Sequence, residues 1–186
     1  MYLRIVSKYL ITSLLILFMF SCGGGGAGGV QDSCAKDPKW YSNEECPRNH
    51  LCGFGSAGSG NKSTAEFKSK SLARNDLAAA VSQVVIRELT SGFEELEGDA
   101  AEAWEKMLNS DNFVTSVNRE VTNSIVDQKE NAVCDGKNWY WASVKKDIDG
   151  VNYAKIFSDA AVQLSESDQE YISATKDWAA DKLGNR

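Results

Sequence analysis

The sequence predicts an α+β fold: a small antiparallel or mixed sheet of about three strands packed against long helices, with a disulfide-bearing N-terminal cap. Three observations predict it. Leu72, Leu77, Val81, Val84, Val85 and Leu89 recur at steps of three and four residues, the period of a helix with one apolar stripe. Asp135-Gly136 separates Ala132-Val133-Cys134 from the aromatic and β-branched segment Trp139 to Val144, which is the pattern of a hairpin. From about Asn152 a second helical stripe follows, carried by Ile156, Phe157, Ala160, Ala161 and Leu164.

Taken in order, Leu51 to Ala57 reads as a first strand ending in glycines, and Ser56 to Ser63 as a loop rich in Gly and Ser. The long helix follows and stops at Ser91-Gly92. An acidic segment with Glu94, Glu95, Glu97, Asp99, Glu102 and Glu105 continues as a surface helix that turns Trp104, Met107 and Leu108 inward. From about Arg119 the period changes, and Val121, Ile125 and Val126 lead into the hairpin, whose connection is expected to be four residues or slightly longer. On its second strand Tyr140, Ala142 and Val144 share one face, and Trp139, Trp141 and Ser143 the other. Ser165 to Asp168 caps a last helix carrying Tyr171, Ile172, Thr175, Trp178 and Leu183.

The N-terminus reads differently. Arg4 and Lys8 precede an almost wholly apolar run from Tyr9 to Phe20, about a dozen residues against the roughly 20 that a transmembrane helix needs, so residues 1–21 read as a signal peptide. Ser21-Cys22 closes it as a bacterial lipobox does, although Met19 and Phe20 stand where Leu and a small residue are commoner. Cys22 is therefore the expected site of acylation, and acyl chains there would hold the chain at a membrane. Residues 23–29 are six glycines and one alanine, a flexible tether reaching roughly 15 Å. The expected organisation is signal peptide 1–21, lipidated cysteine and tether 22–37, and a single domain 38–186.

The five cysteines agree with this reading, because acylation at Cys22 leaves Cys34, Cys46, Cys52 and Cys134 as an even set in a compartment that permits disulfides. Of the three pairings, Cys34–Cys46 with Cys52–Cys134 is the one favoured here, since the first three lie in one Pro-bearing segment and Cys134 stands alone. Zinc is disfavoured: His50 is the only histidine and the cysteine spacings match no common zinc pattern.

Other function classes are excluded by composition and spacing. The formal charge is −6, and −8 without residues 1–21; no Lys/Arg stripe offers itself to phosphates, so nucleic acid is not an expected partner. Gly53-x-Gly55-x-x-Gly58 imitates a dinucleotide fingerprint, and Gly55-x4-Gly60 a P-loop, but Asn61 displaces the required lysine and no βαβ repeat surrounds either motif. With one histidine and paired cysteines, no catalytic residue, cofactor site or metal site is expected. Trp40, Trp139 and Trp141 are the candidate interaction aromatics, for a protein partner or a glycan.

Over residues 38–165 the order of short motifs is informative. Pro38-Lys39-Trp40, Gly53-Phe54-Gly55-Ser56-Ala57, the run Ser71-Leu72-Ala73-Arg74-Asn75-Asp76-Leu77-Ala78, and Asp135-Gly136 followed by Trp141-Ala142-Ser143-Val144-Lys145 succeed one another. This order resembles the Lpp-twenty family of outer-membrane lipoproteins. The resemblance implies a non-enzymatic, lipid-anchored protein of the bacterial envelope, with a structural or protein-interaction role at the outer membrane, cell surface or flagellum. It implies a protein partner or self-association and transfers no catalytic residues. The alternative is a periplasmic or surface binder of a small ligand or glycan through exposed aromatics.

Overall fold

The computed structural model describes residues 36–96 and 98–184, so Cys22, Cys34, the expected signal peptide 1–21 and the glycine run 23–29 lie outside the described residues. The fold is α+β. A short helix α1 (Lys39–Ser42) leads to strand β1 (His50–Ser59) and the long helix α2 (Lys62–Ser91); α3 (Gly98–Leu108) and α4 (Asp111–Val121) follow. The hairpin strands β2 (Ile125–Cys134) and β3 (Lys137–Asp147) then precede α5 (Tyr153–Ala161) and α6 (Glu166–Gly184). The sheet is antiparallel throughout, in the order β1-β3-β2, so the last strand made is the central one.

Asn61 starts α2 by accepting from the Thr64 amide at 3.2 Å. Seven of its eight buried residues, Ala65, Ser69, Ala73, Leu77, Val81, Val85 and Leu89, fall at steps of four, with Ala78 beside them. Each such step advances about 40° beyond a full turn, so the buried stripe winds round the helix. Small residues occupy its first half, where the helix lies on β1, and branched aliphatic ones its second half, where neighbouring helices enclose it. Leu72, expected inside, is instead exposed, as is Phe67 at 74 %. The reason lies in the strand. A Cβ on Gly53 would stand 2.1 Å from the Ala73 carbonyl oxygen, and one on Gly55 2.2 Å from that of Ser69. Helix and strand backbones touch, and no large side chain fits between them.

Gly53 and Gly55 lie inside β1 as expected, and the strand runs on through Gly58 to Ser59, where a loop was expected from Ser56. Asp76 on α2 also accepts the Phe54 amide at 2.9 Å. That bond satisfies a donor on an edge strand.

The hairpin is tighter than expected, two residues rather than four, with Asp135 (φ 48°) and Gly136 (φ 74°) both in the left-handed region that a primed turn demands. A second difference is α4, where a strand approach was expected from Arg119. Ser110 caps it by accepting from the Phe113 amide at 3.1 Å, and Phe113, Val117 and Val121 enter the core. The helix layer closes around Trp104, fully buried, whose Nε1 donates to Thr175 Oγ1 at 2.7 Å and whose ring meets Phe157 edge-on at 4.9 Å. No helix among the described residues is long and apolar enough to cross a membrane.

Candidate interaction face

Period two sorts β3 between two environments. Tyr140 (5 % exposed), Ala142 and Val144 face α2 and join the main core, while Trp139, Trp141 and Ser143 face away from it. On that outer face Trp139 is paired with Gly58 of β1 and Ala132 of β2, and Trp141 with Ser56 and Glu130. Small neighbours leave room for flat indoles: a Cβ on Gly58 would already come within 3.1 Å of the Trp139 ring. The two indoles stack with centroids 6.4 Å apart.

The segment before β1 covers this face. Trp40 and Tyr41, on α1, pack with Trp139, Trp141, Ala132 and Cys134 in a second, smaller apolar cluster. Tyr41 meets Phe54 edge-on and its hydroxyl donates to Ser56 Oγ at 3.2 Å. Upstream, Asp37 Oδ1 accepts from Trp141 Nε1 at 2.8 Å, a charge-assisted bond. All three candidate aromatics are thus brought together. They pack against each other rather than standing open, since Trp141 is only 1 % exposed and Trp40 and Trp139 are half-buried.

The disulfides differ from the favoured pairing. Cys46 is bonded to Cys52, closing the turn that leads into β1, with Cα atoms 5.8 Å apart. Register explains why Cys52 and Cys134 do not meet. Cys52 sits opposite Lys145 and Cys134 opposite Lys137, at opposite ends of β3 and on different sides of it, roughly 27 Å apart along the strand. Cys134 is nonetheless disulfide-bonded. His50, beside this turn, places Nε2 2.9 Å from Asp147 and ties the start of β1 to the end of β3. No group of three or more His, Cys, Asp or Glu side chains that could hold a metal ion occurs among the described residues.

The disulfide-bearing N-terminal cap is present as expected; what sequence reasoning missed is that it lies on the tryptophan face of the sheet. Segment 36–45 carries no periodicity to announce it, and its one signal is aromatic pairing: Trp40-Tyr41 before the domain and Trp139-x-Trp141 within it. Comparison with protein-family models, with curated proteins and with solved structures finds no match.

Proposed function

We propose that this chain is a non-enzymatic bacterial envelope lipoprotein, held at the outer membrane by acyl chains on Cys22, with a structural or protein-interaction role of the kind that resemblance to the Lpp-twenty family implies. The observation that carries the reading is cysteine arithmetic. Cys46 and Cys52 hold one another and Cys134 is bonded, so the partner of Cys134 is Cys34 or Cys22, and one of those two is left over. Asp37, three residues after Cys34, touches Trp141 in the cluster that contains Cys134. Three residues span at most about 10 Å, which favours Cys34 as the partner and leaves Cys22 as the spare thiol. A lone thiol next to a signal-type apolar run is what a lipobox requires.

Mass spectrometry of the mature protein tests this directly. The expected result is an N-terminal Cys22 carrying diacylglycerol and an acyl chain, with Cys34 and Cys134 in one disulfide-linked peptide; Cys22→Ser should lose the lipid and keep both disulfides. An unacylated Cys22 thiol, or a Cys22–Cys134 cross-link, overturns the proposal.

The ligand-binding alternative asked for exposed aromatics, and the packing of Trp141 beneath Asp37 does not favour it.

A further inference from the structure

A cleft of about 250 Å³ opens between α4, α5 and the end of β3. Three cations, Arg119, Lys146 and Lys155, and two carboxylates, Glu120 and Asp159, line it together with Asn123. The local balance of +1 contrasts with −6 for the whole chain.

The floor of the cleft is internally satisfied. Lys146 Nζ donates to the Glu120 carboxylate at 2.7 Å and to the Glu120 carbonyl at 3.0 Å, and the Asn152 amide donates to the same carboxylate at 3.1 Å. At the rim the count is uneven. Arg119 Nη1 and Lys155 Nζ converge on one oxygen of Asp159, at 3.2 and 2.8 Å, so two cations share a single acceptor atom. A guanidinium carries five N–H donors and an ammonium three, so most of theirs are left over. The side chains of Arg119 and Lys155 are 63 % and 53 % exposed, and the Asn123 amide makes no hydrogen bond within the described residues.

We propose that this cleft binds a small oxyanion, a phosphate or phosphate-ester group, between Arg119 and Lys155, with the Asn123 amide as a further donor. A tetrahedral oxyanion offers the several acceptor lone pairs that these donors lack, and a planar guanidinium matches two of its oxygens at once. Asp159 acts here as a built-in competitor: it holds both cations in place and weakens any anion that approaches them.

That competition makes the test directional. Amide and side-chain NMR shifts of the full-length chain in an uncharged detergent are followed during titration with inorganic phosphate, and with chloride at the same ionic strength. Phosphate should produce saturable shifts around Arg119, Asn123 and Lys155 that chloride does not. Arg119→Gln with Lys155→Gln should weaken binding about fivefold or more, and Asp159→Asn should strengthen it by a similar factor. The gain expected of Asp159→Asn has no counterpart in a variant that merely misfolds. Equal responses to phosphate and chloride, no saturation, or an Asp159→Asn variant that binds no better would each overturn the proposal. Vesicles of uncharged lipid, with and without phosphatidic acid, separate the sources: shifts with inorganic phosphate alone indicate a dissolved anion, and shifts with both indicate a headgroup.

Discussion

The two faces of one three-stranded sheet are covered in opposite ways. On one side α2 lies directly on the backbone of β1, its stripe of every fourth residue continuing into a core closed by four further helices. On the other, a few residues without regular structure beyond one turn of helix cover two stacked indoles. The helix side is held by continuous apolar packing, whose favourable energy scales with buried area. The outer side has little area to bury and compensates with discrete bonds: the Cys46–Cys52 disulfide, a second disulfide at Cys134, and the Asp37–Trp141 hydrogen bond. A cover held by a few identifiable bonds can be released by breaking them, whereas a packed layer comes off only by unfolding.

The largest effect is expected where backbones touch. Gly53→Ala drives a methyl group to 2.1 Å from the Ala73 carbonyl and 2.3 Å from the Leu77 amide, so helix and strand must separate. Overpacking against an atom that cannot rotate away should cost about 3 kcal/mol, read as a lower urea midpoint. Gly58→Ala is the matched change on the outer face. There the obstacle is the Trp139 ring at 3.1 Å, a side chain that can give by a few tenths of an ångström, and the loss should stay below about 1 kcal/mol. Equal losses at the two positions would mean that the two faces are equally rigid.

The disulfide comes next. Cys46→Ser with Cys52→Ser reopens a loop with a sequence separation of 6, a loss of about 2 kcal/mol by chain entropy. The damage should be local: hydrogen exchange should quicken in residues 36–52 and around Trp139 and Trp141, while amides of α2 keep their protection. Uniform loss of protection would show that the cover is part of the main cooperative unit.

How much of this was legible follows from what each signal depends on. The alternation of Trp139, Tyr140 and Trp141 between faces was readable, because strand periodicity is a property of the chain alone and Asp135-Gly136 marks the turn. The helix Asp111–Val121 was not, because its last apolar residue, Val121, runs on into Ile125 and Val126, and the cluster as a whole reads as the approach to a strand. Leu72 belongs to the apolar stripe by hydrophobicity alone, yet the glycines of β1 decide how α2 sits, because its backbone at Ser69, Ala73 and Leu77 lies against Gly53 and Gly55. Cysteine pairing depends on register, which separates Cys52 from Cys134 by the length of β3. The cleft at Arg119 and Lys155 joins α4 to α5 across the hairpin, so nothing adjacent in sequence announced it.

The smallest effect is electrostatic and belongs to the helix side. Glu95 accepts from Lys182 and, at 3.2 Å, from Trp178 Nε1, tying the turn after α2 to α6. The bond from Lys182, then that from Trp178, holds its carboxyl below the ordinary value of 4.5. Glu66 on α2 is lowered by Lys70, and Asp159 on α5 by Lys155 and then Arg119. In each case the unfolded chain takes up the proton more readily than the folded one. The contribution is therefore complete above the ordinary carboxylate range and is lost as pH falls through the lowered value. These are surface pairs, so each loss is slight. Glu95→Gln should lower the urea midpoint a little at about pH 7, and the gap from the unsubstituted chain should close as pH falls through the lowered value. The gap between the oxidised chain and the Cys46/Cys52 double variant should not close, because a disulfide does not titrate. A Glu95→Gln gap that persisted in acid would mean that the tie between this turn and α6 is made by packing of Trp178 against Gly92 and not by charge.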